Sequence, residues 1–252
     1  MKADNHTKFI LTPILEILKD CVNATKAIGL GIETYPLCDY IMQTTFLKMT
    51  GASEQKLKCI LWEIATNDYD YRYRYLSNST KSGECSKLKD KNDVFKELQN
   101  QILTTKSAEE ALKQNFNCSN KRNMLDRVLF DITSLFYNSV LISWQENEFL
   151  FFKRHYSHYF AENFFCNYSN KDKKFNTLLE SKIDYDNLVW RHRNRCAHNL
   201  ASYQVNLPDL SQLIQPNYDY ENYFFRFSIL LLLDEIFMKM YSSYLEHLDK
   251  NC

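Results

Sequence analysis

Four glycines and four prolines in 252 residues leave this chain few means of turning sharply. Glycine supplies the left-handed backbone of tight hairpin turns, and proline breaks helices. A sheet protein of this length needs many such turns, whereas a set of long helices needs few. The sequence therefore predicts an all-α fold. Hydrophobic residues make up 45% of the chain, enough for one large domain or two small ones. The formal net charge is zero. The molecule as a whole does not attract nucleic acid, so any RNA site has to be a local basic patch.

Apolar residues recur at helical spacing along most of the chain. Phe9, Ile10, Ile14, Leu15, Leu18 and Val22 predict a helix within residues 7–28, with Pro13 in its first turns and Gly29 and Gly31 ending it. Residues 37–49 predict a short second helix stopped by Gly51, and Ser53 and Glu54 open a third run through Leu57, Ile60, Leu61 and Ile64. Residues 77–93 are polar and read as a loop. They divide an accessory helical region, 1–90, from a helical bundle, 91–252. Helices are predicted near 93–104 and 106–116, with Ser107 and Glu110 resembling a capping box. A long helical pattern covers 120–167, and 169–183 is polar and basic, then helical. Pro208 and Pro216 mark a loop before a closing helix over 219–248. Its richest run, Phe227–Leu233, is far shorter than a membrane span and is followed by Asp234 and Glu235, so a buried helix is expected there.

The chemistry concentrates in residues 190–199, which hold Arg191, His192, Arg193, Asn194, Arg195, His198 and Asn199. Asp184 or Asp186 starts this helix, with Leu188, Val189 and Trp190 as its apolar lead-in. A helix that only had to be solvated has no need of this set. Arginine offers a permanent charge and a rigid donor fork suited to phosphate. Histidine exchanges a proton near neutral pH.

Arg193-Asn194-Arg195-Cys196-Ala197-His198, placed before a last long helix, resembles the Arg-x4–6-His motif of HEPN domains (higher eukaryotes and prokaryotes nucleotide-binding). The resemblance implies a HEPN-type helical bundle and a metal-independent endoribonuclease of the kind found as toxin or antiviral defence effectors. It assigns catalysis to Arg193, His198 and Asn194, and contacts to RNA phosphate to Arg191, Arg195 and His192. Arg191 also stands at an allowed distance from His198, so either arginine could be the motif arginine. The expected products are a 2′,3′-cyclic phosphate and a 5′-hydroxyl. The resemblance further implies a homodimer whose two motifs face each other, and a regulatory, antitoxin or sensor partner. Some members carry a modified Tyr two residues after the His; that position is Leu200 here. The alternative is a catalytically inactive all-helical interaction or nucleotide-binding module, in which 190–199 is a basic helix and His198 caps or packs.

Other features point to less. Asp68–Tyr75 alternates charge with tyrosine and fits either base stacking or a helix end with inward tyrosines. His155 and His158 share a helix face but lack a third ligand, and a zinc site through Cys196 and His198 lacks two. Glu146 and Glu148 read as solvated carboxylates that could otherwise orient a basic site residue. The eight cysteines contain no Cys-x-x-Cys pair, and the first residues show no secretory signal pattern. Free thiols in the cytoplasm, no cofactor and no metal are expected, and Asn78-Ser79-Thr80 then has no glycosylation role.

Overall fold

A computed structural model describes residues 5–77, 85–198 and 218–251. Among these residues the fold is all-α, with one two-stranded hairpin. The helices are α1 (Asn5–Leu11), α2 (Leu15–Ala24), α3 (Tyr35–Asn67), α4 (Tyr69–Ser77), α5 (Leu88–Ile102) and α6 (Lys106–Asn115). They continue as α7 (Cys118–Phe136), α8 (Val140–Ser143), α9 (Glu146–Tyr159), α10 (His192–His198) and α11 (Tyr223–Asn251). The hairpin pairs β1 (Tyr168–Ser169) with β2 (Lys174–Phe175), Tyr168 opposite Phe175. No described helix is long and apolar enough to cross a membrane.

The bundle is built round α11, which packs on α1, α3, α5, α6, α7 and α9. Its sequence explains this position. Phe224, Phe225, Phe227 and every residue from Ile229 to Leu233 are buried, so the helix is apolar on all sides rather than along one stripe. Asn222 caps it, its side-chain oxygen accepting from the Phe224 and Phe225 amides at 3.0 and 3.2 Å. One hydrophobic core runs from Ile10 to Tyr244, and residues on both sides of 78–84 contribute to it. Residues 1–90 and 91–252 thus share that core, with α1 and α3 lying directly on α11.

Several predicted boundaries shift. Pro13 does not sit inside one helix; it separates α1 from α2. The Ile14 amide at that break donates to the Asp234 carboxylate of α11 at 2.9 Å. Gly51 does not end a helix, because α3 runs through it as one 33-residue element. Met49, Thr50, Ser53 and Lys56 are buried on either side, and their packing outweighs a glycine penalty of about 1 kcal/mol. Helix α5 begins at Leu88, inside the expected loop, because Lys91, Val94 and Phe95 already belong to the core. Thr105, rather than Ser107, caps α6 and accepts from the Ala108 amide at 3.3 Å. The predicted run over 120–167 is broken at Asn138, whose φ of 59° is a left-handed conformation that asparagine tolerates. Residues 169–183 hold the hairpin and turns, not a helix. Pro208, Pro216 and Asn78-Ser79-Thr80 lie outside the described residues.

Candidate functional site

The motif helix begins with a distortion. Asp184 caps it, accepting from the Asn187 amide at 3.1 Å, and Asp186–Arg191 then forms a π-helical turn. Such a turn leaves a carbonyl displaced from the regular ladder. Buried Arg226 of α11 donates from Nε to the Leu188 carbonyl at 2.9 Å. Leu188 and Val189 are buried there, which anchors the turn against α11 and delivers α10 to the flank of α3.

Of the six expected site residues, Arg193, Arg195 and His192 point in different directions. Arg193 reaches α3, its Nη2 lying 3.4 Å from Glu54 Oε2 and its Nη1 donating to Asn194 Oδ1 at 3.2 Å. About a quarter of the Arg193 side chain, 26%, stays exposed. Arg195 turns the other way and lies 3.6 Å from Glu221, a carboxylate that also pairs with Arg226 at 3.7 Å. Arg191 is exposed. His198 is the last residue of α10, and its side chain lies outside the described residues.

His192 is turned inward, edge-on to Phe46 and Tyr223 with ring centroids 5.1 and 5.4 Å away. Burial, with Arg226 and Arg195 adding to it, pushes its pKa down to about 2, so the ring is neutral. Arg195 can only donate, so the contact of 3.5 Å between its Nη2 and His192 Nδ1 places the ring proton on Nε2, which faces Cys196 Sγ at 3.5 Å. This placement gives His192 a packing role in the core wall.

Behind Arg193 lies a residue that the sequence did not reveal. Lys91 of α5 is buried, donates to Ser53 Oγ at 3.5 Å and sits 5.6 Å over the Tyr185 ring. Burial lowers its pKa to about 8, Glu54 opposes that shift, and Arg193 adds to it. Glu54 thus compensates two cations, one buried and one at the surface. Its position one residue after Ser53 had marked it only as a helix start. Lys91 fell in a stretch that looked like loop, so nothing in the sequence flagged it.

Chemically, α10 offers a fixed guanidinium, an adjacent amide and a terminal histidine on one helix. Residues 193 and 198 are separated by about 140° around an α-helix and about 7.5 Å along it. His155 stacks on Phe151 with centroids 4.2 Å apart, which accounts for it as packing. Among the described residues no three His, Cys, Asp or Glu side chains come together as a metal site. In the Asp68–Tyr75 stretch, Tyr71 is buried and stacked on Tyr75 at 5.7 Å, while Tyr69 and Tyr73 are exposed. Searches against family models, curated proteins and solved structures found no match to this chain.

Proposed function

We propose that the chain is a metal-independent endoribonuclease of HEPN type, acting as a toxin or antiviral defence effector in the cytoplasm. The observation that carries this reading is the Arg193–Asn194 pair. Glu54 holds the guanidinium by one edge, and the side chain keeps part of its surface at the start of a helix that ends in His198. Cleavage by the ribose 2′-oxygen needs a group that moves the 2′ proton and a cation for the charged phosphorane. His198 serves the first need and Arg193 the second, with Asn194 orienting either the phosphate or His198. The angle of about 140° between the two positions keeps them from meeting on one helix. A second copy presenting its own α10 completes the site, so the working form is a homodimer.

A second reading has its own support. Arg193 and Arg195 each face a carboxylate, and His192 is half-buried among aromatic rings and neutral, which also suits an all-helical interaction module without catalysis. One assay separates the two: cleavage of single-stranded RNA in EDTA by wild type, Arg193→Ala and His198→Ala. Wild-type cleavage that both substitutions abolish supports the nuclease. Absence of cleavage by wild type supports the interaction module, and equal cleavage by all three removes Arg193 and His198 from the reaction and overturns the nuclease reading of α10.

A further inference from the structure

Among the described residues, twelve large hydrophobic side chains are strongly exposed, and five of them fall within residues 30–40. Leu30, Ile32, Tyr35, Leu37 and Tyr40 carry that surface, at 47–75% exposure. The segment enters α3 through one turn of 3₁₀ helix, Ile32–Thr34. It is fixed in place, since the Trp144 indole donates to Thr34 Oγ1 at 3.3 Å and Tyr35 meets the Trp144 ring edge to face at 5.8 Å. Two more of the twelve adjoin it, because Tyr137 and Leu150 share a recess with Leu30. Seven side chains of this size, about half or more exposed, present roughly 700 Å² of apolar surface. The largest patch on a typical monomer is roughly 300–600 Å². A stable interface takes roughly 800 Å² from each partner.

The charges round this face divide by sign. Lys26 and Lys153 line the recess at the Leu30 end, with Glu146 as its one carboxylate. Asp39, Glu148, Asp219 and Glu221 line the recess at the Tyr35 end. Arg195 and Arg226 hold Glu221. The other three carboxylates and both lysines have no ion-pair partner among the described residues.

We propose that this face is the interface between two copies of the chain. The polarity of its charges selects a second copy over other occupants. A two-fold axis across the face sets the lysine end of each copy against the carboxylate end of the other. An anionic bilayer would attract the lysines but be repelled by the three carboxylates. The zero net charge of the chain adds no long-range repulsion between copies. Helix α10 ends beside this face, because Gln43 of α3 hydrogen-bonds the Cys196 thiol and Asp39 lies near enough to act on it. A second copy seated here therefore lies against the His198 end of α10. The inference gives the homodimer proposed above its surface, yet it rests on the apolar face and its charges and stands whether or not α10 cleaves RNA.

Sedimentation equilibrium of the full chain tests it. The wild type should be dimeric at micromolar concentrations. Ile32→Asp with Tyr40→Ser should raise the dimer Kd at least tenfold, at unchanged helix content by circular dichroism. Charge reversal gives the sharper test. Lys26→Glu with Lys153→Glu makes both ends acidic, and Asp39→Lys with Glu148→Lys makes both ends basic. All four positions are exposed, so the fold tolerates the changes. Each double variant alone should dimerise at least tenfold more weakly, and an equimolar mixture of the two should recover the wild-type affinity as a heterodimer. Dimerisation that follows this pattern in a protein without RNA cleavage supports the proposal and removes the nuclease reading alone. A monomeric wild type, a dimer untouched by Ile32→Asp with Tyr40→Ser, or a mixture that stays monomeric overturns the proposal.

Discussion

Arg193 of α10 meets Glu54 of α3 through a single Nη2–Oε2 contact of 3.4 Å, although 139 residues separate them. The contact exists because α3 continues unbroken past Gly51 and carries Glu54 to the flank where α10 docks. Glu54 also offsets the charge of buried Lys91, so its carboxylate sets both the position of Arg193 and the cost of the lysine. On the nuclease reading proposed above, Glu54→Gln should therefore lower RNA cleavage by about a hundredfold through misplacement of Arg193. The loss should appear in kcat rather than KM, with a lower melting temperature from the less compensated Lys91. A lower melting temperature with unchanged cleavage assigns Glu54 to packing alone.

The histidine that stays neutral gives a pH dependence. His192 has a folded pKa near 2, while an unfolded histidine titrates near its ordinary value of about 6.5. Below that ordinary value the unfolded chain binds a proton that the folded chain refuses, so stability falls as pH drops. The contribution is fully present above the unfolded pKa. At pH 5 the loss is about 2 kcal/mol, from about 1.4 kcal/mol per pH unit. Chemical denaturation at pH 7.5 and pH 5 should show that loss in wild type and a smaller one in His192→Phe. An identical pH dependence in the two proteins means that another group is responsible.

The fold class was legible because scarce turn residues and helical periodicity are properties of the whole chain. The ends of α1 and α2 and the run through Gly51 were not, since a glycine signals a helix end only when tertiary packing does not hold the helix together. Here Met49 and Ser53 hold it. The hairpin at 168–175 depends on Lys173 at a φ of 52°, a conformation that no glycine or asparagine announces. In the site, the sequence marked the cations of α10 but not their anions. Glu54 and Glu221 lie 139 and 26 positions away from the arginines they hold, and only the docking of α10 between α3 and the start of α11 joins them. The inward turn of His192 was likewise hidden, because the facing rings of Phe46 and Tyr223 come from α3 and α11.

Gly51 itself offers a gain in stability. It lies in the middle of α3, and a Cβ built there meets no atom within 4 Å. Its backbone is helical, so alanine fits without strain and narrows the unfolded ensemble. Gly51→Ala should stabilise the fold by about 1 kcal/mol. For a chain of this size the melting temperature should rise by about 2–4 °C. A decrease shows that something other than the bundle itself packs against that point of α3.

The final prediction concerns the buried ion pair that fastens the amino-terminal helices to the core. Lys56 of α3 donates to Asp234 of α11 at 2.6 Å, and both side chains are nearly inaccessible, at 5% and 4%. Lys56 also donates to the Thr12 carbonyl, and Asp234 accepts from the Ile14 amide at 2.9 Å. The pair thereby satisfies the backbone that Pro13 leaves open between α1 and α2. Loss of water lowers the lysine pKa and raises that of the aspartate, so each charge persists only because the other is present. Lys56→Met alone, or Asp234→Leu alone, leaves one buried charge unmatched and should cost about 3–5 kcal/mol. The double variant removes both charges but still strands the Ile14 amide and the Thr12 carbonyl, at about 1–3 kcal/mol for each unsatisfied group. Its total should therefore fall below the sum of the two single losses. Denaturant unfolding of the four proteins measures that coupling. Strictly additive losses mean that the two charges do not depend on each other.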